Sequence, residues 1–324
     1  MALNRRHLIA SSAALAAVGL PSLAGAQVAF PNKPVKIVVP YPPGGSSDII
    51  ARAISQVLGE SLGQPVVVDN RAGANGNLGA ALVAQSPADG YTLLLCDVGA
   101  LAISPSVYKL QFDPSKDLRG VTMLAYSPHM LAVHPSVKAN TLQELVALSK
   151  TSDLNFAVTA MGSAPHVAGV AVERATGAKW TYVPYKGGSQ AVADTVAGQT
   201  QVIMNGMLAT LPHVQSGKLK VLGISKRTRM PLVGGVPTLA EQGVKDFESG
   251  TWQGVLVPKG TPPAVVARLN TELIKAIRNP EVRARPAGQG AEVHTMQPAE
   301  QDAFFERERQ RWGQVVQAAN IRLE

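Results

Sequence analysis

Apolar and polar positions recur along this chain in one repeating order. A short β-branched run comes first, then a loop rich in Gly or Ser, then apolar residues spaced three and four apart. Residues 35–40 form the first run, ended by Pro40, Pro42 and Pro43. Gly44-Gly45-Ser46-Ser47 follows, and beyond it Ile49, Ile50, Ala53, Ile54, Val57 and Leu58 fall on one helical face. Ser46 or Ser47 is expected to cap that helix, with Asp48 favourable in its first turn.

The order repeats. Val66-Val67-Val68 leads through residues 71–76 into a helix beginning near Asn77, and Leu93-Leu94-Leu95 leads through Asp97-Val98-Gly99 into a short one. Phe156-Ala157-Val158 passes through Met161-Gly162-Ser163 to a helix ending near Arg174; Tyr182-Val183 passes through Lys186-Gly187-Gly188-Ser189 to a helix over 191–197. Val202-Ile203-Met204 passes through Asn205-Gly206-Met207 to another. Repeated βα units with continuous apolar strands predict an α/β fold, a mostly parallel sheet covered by helices on both faces.

Two stretches read as crossings between lobes. One covers residues 122–133, interrupted by Ser127-Pro128; the other covers 251–257 and contains Trp252. Helices over 264–278 and 299–319 follow. The implied division is a discontinuous first lobe, 27–127 plus 251–324, and a second lobe, 128–250.

The first 26 residues carry Arg5 and Arg6, then an apolar run over 8–20, then Ala24-Gly25-Ala26. That order is a secretory signal peptide with cleavage after Ala26. Its apolar run falls short of the roughly 20 residues a spanning helix needs. Asn4-Arg5-Arg6-His7-Leu8-Ile9 also resembles a twin-arginine signal, so both export routes stay open. No cysteine follows the run to carry a lipid.

The chain has 324 residues with 30 Lys and Arg against 22 Asp and Glu. Removing the signal takes two arginines and no acid, which leaves 28 minus 22, or +6. No Lys/Arg block interleaves with aromatics, so nucleic acid is not the expected partner; a diffuse positive field concentrates small anions instead. Cys96 is the single cysteine and sits in a buried-strand pattern, so it reads as a core residue and no internal disulfide forms.

Candidate chemistry lies in the loops. Tyr41-Pro42-Pro43-Gly44-Gly45-Ser46-Ser47-Asp48 feeds a strand into a helix N-terminus, where four backbone N–H groups lack partners and the dipole is positive. Such an end takes a carboxylate or phosphate. Ala160-Met161-Gly162-Ser163-Ala164-Pro165-His166 has the same construction, with Ser163 as N-cap and Pro165 in the first turn. Tyr185-Lys186-Gly187-Gly188-Ser189 is the third such loop. All fall beyond the carboxyl ends of strands, where open α/β sheets bind ligands. Two such ends facing one another make an anion clamp.

Enzymatic and cofactor motifs are missing from the sequence: no G-x-S-x-G, H-E-x-x-H, Walker or dinucleotide loop occurs, and Gly73-Ala74-Asn75-Gly76-Asn77-Leu78-Gly79 has the wrong glycine spacing. His129, His134, His166, His213 and His294 are too dispersed for a metal site. Ser163 and His166 lack an orienting acid, and His166 reads as a residue that fixes its own loop.

At these loops the chain resembles the extracytoplasmic solute receptors of the tripartite tricarboxylate transporters, also called Bug-type receptors. The matching segments include Pro40-Tyr41-Pro42-Pro43-Gly44-Gly45-Ser46, Asp69-Asn70-Arg71-Ala72-Gly73-Ala74-Asn75-Gly76-Asn77 and Pro87-Ala88-Asp89-Gly90-Tyr91-Thr92. Val183-Pro184-Tyr185-Lys186-Gly187-Gly188, Val236-Pro237-Thr238-Leu239 and Pro258-Lys259-Gly260-Thr261-Pro262 continue the series in order. Ala72 departs where the family often has Pro, and Gln201 stands near a usual acid.

The resemblance implies a two-lobed periplasmic binding protein fold of type II character. Each lobe is then a mostly parallel sheet flanked by helices, joined by two crossover strands. It implies a small carboxylate held mainly by backbone N–H groups and water, and a monomer delivering it to membrane permease subunits. Carried residue by residue, the ligand-binding set is Tyr41, Gly44, Gly45, Ser46 and Asp97 from the first lobe. Met161, Ser163, Gly187, Gly188, Asn205 and Met207 come from the second. Met161 and Met207 in the cleft would favour an apolar or aromatic carboxylate. No catalytic residue, metal or cofactor is expected. A ligand sensor for a membrane signalling protein and an exported hydrolase are the alternative readings.

Overall fold

The computed structural model describes residues 30–321 and 323, so the signal-like segment 1–26 lies outside the described residues. Its first half builds parallel βα units: β1 (Val35–Val39), α1 (Ser46–Leu62), β2 (Val66–Asn70), α2 (Asn77–Ala84), β3 (Thr92–Asp97) and α3 (Val98–Val107). These strands order as β2-β1-β3. A short α4 (Pro114–Asp117) leads to the 16-residue β4 (Leu118–Val133).

The second half contains α5 (Leu142–Leu148), β5 (Asn155–Val158), α6 (Ala164–Thr176), β6 (Thr181–Pro184), α7 (Gly188–Val196), β7 (Val202–Gly206), α8 (Met207–Gln215) and β8 (Lys220–Ile224). β5 pairs parallel with β6 and β7, while β7 and β8 flank the end of β4 antiparallel. The chain then returns as β9 (Gly250–Pro258), which inserts between β3 and β4, antiparallel to both. α9 (Pro263–Arg278), α10 (Pro280–Gly288), β10 (Glu292–Val293) and α11 (Pro298–Ala318) complete the first half. The parallel order therefore belongs to the outer strands. The crossing strands β4 and β9 run antiparallel because they traverse the molecule in opposite directions.

α1 shows why these segments take these forms. Ile50, Ala51, Ile54, Leu58 and Leu62 are buried on one face against β1, β3 and β9, and each large side chain contributes about 1.5–3 kcal/mol. Gly63 ends the helix at φ +69°, its N–H bonded to the Glu60 and Gly59 carbonyls. The start differs from the serine cap expected. Gly45 is the N-cap, Ser46 is already helical, and no side chain closes the end.

β4 also departs from expectation, because Ser127-Pro128 does not interrupt it. Pro128 stands opposite Gly250 in the last pair of the β4–β9 ladder, so its missing N–H falls where that pairing ends. Two register shifts nearer the start, at Gly120/Thr122 and Met123/Ala125, absorb the twist. β4 changes neighbours between Pro128 and His129, passing from β9 to β7 and β8. The crossings are stitched there: His129 N–H donates to Ser249 O at 3.1 Å and Ser225 N–H to His129 O at 2.9 Å. The fully buried His129 ring adds a 3.0 Å contact from Nδ1 to Ser249 Oγ.

Each half has an apolar interior, and the two touch: Leu208 of α8 joins one cluster of the first half, and Ala164 and Val167 of α6 join the other. In the first, β1, β3 and β9 are covered by α1 and α9 on one face and by α3 and α11 on the other. In the second, Phe156 is fully buried, with the Trp180 and Tyr182 ring centroids 4.9 and 5.4 Å away. No helix among the described residues is long and apolar enough to cross a membrane.

Candidate functional site

A cavity lies where the two halves meet. From the first half, Tyr41, Gly45, Ser46, Ser47, Asn75 and Asp97 line it, with Ala100 behind. From the second come Thr159, Ser163, Pro165, Gly188 and Asn205, and Thr251 of β9 forms part of the floor. Among these lining residues there is no lysine or arginine.

Positive potential therefore comes from helix ends. α1 begins at Gly45 with no side-chain cap, and its first internal bond runs from Ile49 N–H to Gly45 O at 3.0 Å. The amides of Ser46, Ser47 and Asp48 are left without intrahelical partners. α7 has the same bare start. Gly187 is its N-cap without a side-chain bond, and Ala191 N–H is the first to turn back, to Gly187 O at 3.3 Å. Both ends reach the cavity, through Ser46 and Gly188. α8 starts nearby: a β-carbon built on its N-cap Gly206 would lie 3.1 Å from Ser46 Oγ. The Leu208 amide of α8 is taken by Ser127 Oγ at 2.9 Å, so two bare helix ends, those of α1 and α7, crowd one space, an arrangement that an anion relieves.

α6, expected to form half of the clamp, is largely self-satisfied. Ser163 Oγ accepts from His166 N–H at 3.3 Å, Pro165 has no N–H, and Gly162 N–H donates to His166 Nδ1 at 3.0 Å. The opposing end is instead α7, whose glycine start has no hydroxyl to close it. Ser163 still lines the cavity, with its Oγ 2.7 Å from Ala160 O.

The sequence set divides accordingly. Tyr41, Gly45, Ser46, Asp97, Ser163, Gly188 and Asn205 come together around the cavity. Gly44 does not line it; its N–H donates to Asp48 Oδ2 at 2.9 Å. Gly187 lies at the rim, where a β-carbon would stand 2.3 Å from Pro42 Cδ. Met161 packs into the second interior and offers its carbonyl to Tyr108 Oη across the halves. Met207 is fully buried, and a β-carbon on Gly290 would meet its Cε at 2.5 Å. With both methionine side chains outside the cavity lining, the apolar far wall they would make is absent there.

Ser47, Asn75, Ala100, Thr159, Pro165 and Thr251 line the cavity as well, outside the expected ligand-binding set; Ser47 and Pro165 enter the sequence reading only as parts of helix starts. Thr159 follows β5 directly, so the strand-end rule carried the signal for it. Asn75 had none, because its position depends on a left-handed backbone at φ +56°.

Asp97 carries the main electrostatic tension. It ends β3, caps α3 and is buried. Burial pushes its carboxyl up to about 7 against the lowering effect of the Trp252, Gly99 and Ala100 amides. Burial also holds His129 down at about 3 and His166 at about 4.

The signs oppose one another. In the folded protein Asp97 keeps a proton between pH 3.8 and 7 that the unfolded chain has lost, so its contribution falls as pH rises through that window. The histidines are neutral when folded, so their contribution is present above pH 6.5 and lost as pH falls toward 3–4. Below pH 6.5 the two histidines outweigh the one carboxyl, so wild type should weaken on further acidification. Asp97→Asn should gain on wild type as pH rises from 4.5 to 8, by on the order of 1–3 kcal/mol in urea denaturation. A pH-independent difference would show that burial does not hold that proton.

Comparison with known proteins places these features. Residues 50–321 match the family model described as the tripartite tricarboxylate transporter family receptor. Protein BugT of Bordetella pertussis is 38% identical over 303 residues, covering 91% of this chain and 92% of its own. A protein of R. palustris solved with adipate superposes at a TM-score of 0.86, with 32% identity, 91% of this chain and 100% of that one. MatC from Rhodopseudomonas palustris, solved with bound malate, superposes at 0.83, with 32% identity over 89% of this chain and 100% of that one.

Proposed function

The chain belongs to the tripartite tricarboxylate transporter receptor family, and from that premise we propose that it captures a small carboxylate in this cavity. Capture takes place in the periplasm and serves a membrane permease. The single observation that carries the reading is the convergence of the uncapped starts of α1 and α7 on a cavity whose lining has no basic side chain. Main-chain amides then supply the binding charge. Relatives solved with adipate and malate accord with it.

The halves act as lobes, 30–128 with 250–321 and 129–249, that meet around the ligand. Several contacts bridge them here: Asn75 Nδ2 donates to Gly162 O at 3.4 Å, Arg311 Nη2 to Glu248 O at 3.1 Å, and Lys226 pairs with Glu292. A ligand touching both lobes has higher affinity for this closed form, and only that difference can shift the hinge.

The family and fold are those of solute-binding proteins, and a hydrolase reading finds no support in Ser163 and His166. The hydroxyl of Ser163 is bonded to Ala160 O, and His166 Nδ1 accepts from a backbone amide.

Thermal-shift screening of organic acids tests the proposal. At 100 times its Kd, a true ligand should stabilise the protein by about 2.7 kcal/mol. A shift with a neutral sugar or a cation, and none with any carboxylate, would overturn it.

A further inference from the structure

The cavity is not uniform, and its polarity has a direction. Bare amides gather at the starts of α1 and α7. Acceptors gather at the turn into α3 and in the loop before α2. Asp97 Oδ1 accepts from Gly99 N–H at 3.0 Å and Trp252 N–H at 3.1 Å, so the oxygen left for a ligand is Oδ2. Asp97 has no salt-bridge partner among the described residues. Asn75, more than nine-tenths buried, donates through Nδ2 to Gly162 O, which leaves Oδ1 as its acceptor, and that oxygen has no partner. Both residues line the cavity.

We propose that the ligand is a carboxylate carrying a hydrogen-bond donor, a hydroxyl or an ammonium, which is received by Asp97 Oδ2 and Asn75 Oδ1. This rests on the carboxylate reading above and narrows it. The carboxylate lies at the α1 and α7 ends, and the donor lies against the acceptor wall. Above about pH 7, where Asp97 is ionised, a plain diacid brings a second anionic oxygen to a buried carboxylate with no cation beside it, and the pair repels. A ligand without a donor also leaves two buried acceptors unpaired, the circumstance in which polar sites discriminate most strongly. Asp97 is then a specificity-determining residue.

The test is calorimetric titration of the exported receptor at about pH 8, above the range in which Asp97 holds its proton, with matched acids. Succinate, malate and aspartate share one carbon skeleton and differ in hydrogen, hydroxyl or ammonium. Propionate, lactate and alanine, then glutarate, 2-hydroxyglutarate and glutamate, extend the series to other lengths. Wild type should bind the donor-bearing member of at least one set ~10-fold or more tightly than its plain partner. Asp97→Asn keeps an oxygen for the Gly99 and Trp252 amides and turns an NH2 toward the cavity, so the preference should collapse or invert toward the plain acid. A greater loss for the ammonium ligand than for the hydroxyl ligand would identify the donor as ammonium.

Asn75→Gly, which retains the left-handed backbone, should narrow the preference without touching the α3 cap. It keeps the test decisive if Asp97→Asn fails to fold. Equal affinity for plain and donor-bearing acids, or a preference unchanged in both variants, overturns the inference while leaving carboxylate capture standing. Binding by none of the nine, and by no other carboxylate, overturns the premise itself.

Discussion

Gly187→Val should weaken ligand binding by about 100-fold while leaving the unliganded protein as stable as wild type. Gly187 has φ −179°, extended backbone that valine adopts without strain, and the three atoms nearest a β-carbon there all belong to the other half. The obstacle lies across the cleft. A β-carbon at this position stands 2.3 Å from Pro42 Cδ and 2.9 Å from Pro42 Cγ. The proline ring cannot swing aside, and the loops must separate before the larger side chain fits. The cost falls on the closed form alone, so it appears in affinity and not in the unliganded melting temperature. Titration calorimetry with the best ligand, alongside scattering measurements of compactness with and without it, reads both quantities. Unchanged affinity would show that Pro42 and Gly187 need not meet for capture.

Phe156→Ala should destabilise the protein by about 3–5 kcal/mol. The ring is fully buried on β5, flanked by Trp180 and Tyr182, and a β-carbon built on Gly169 of α6 would stand 3.2 Å from Phe156 Cζ. Close-packed neighbours on both sides leave little room for collapse into the vacated space. Because Phe156 lies in a cluster built only from residues of the second half, the loss should fall on residues 129–249. Urea denaturation followed by the fluorescence of Trp180 should move to lower denaturant. The response of Trp252 and Trp312, which belong to the other half, should move less. Equal displacement of all three would mean that the halves unfold as one unit.

The repeating strand-loop-helix order was readable because apolar periodicity dominates in segments such as α1, where Ile50, Ile54 and Leu58 leave little choice of face. The crossings were readable in position and not in form. Pro128 suggests a break to any local rule, yet its place opposite Gly250 satisfies the strand, which is a long-range fact. Capping was misplaced for a similar reason: local statistics favour a serine at the start of α1, whereas the backbone turns at Gly45.

The loops at Gly45, Ser163 and Gly188 were legible as helix starts beyond strand ends, and the cavity indeed has all three in its lining. That His166 fixes its own loop was legible, and it closes the Gly162 amide; that the start of α7 stays bare was not. Met161 and Met207 illustrate the same limit. A loop position marks a backbone near the cleft, but packing against neighbours such as Gly290 decides where the side chain goes.

The order β2-β1-β3-β9-β4 has a consequence for biogenesis. β3 and β4 do not adjoin; the place between them belongs to a strand that is synthesised more than a hundred residues after either. As the polypeptide emerges, residues 129–249 hold four of the five strands of their own sheet and receive the fifth from β4, so they can mature early. The portion that starts first must wait for the end of the chain to bring β9, α9 and α11, leaving its unpaired strand edges open to misassociation until then. A nascent chain that stalls before Gly250 therefore carries a half-built sheet, and the quality of the last quarter of the sequence governs whether the first quarter ever folds.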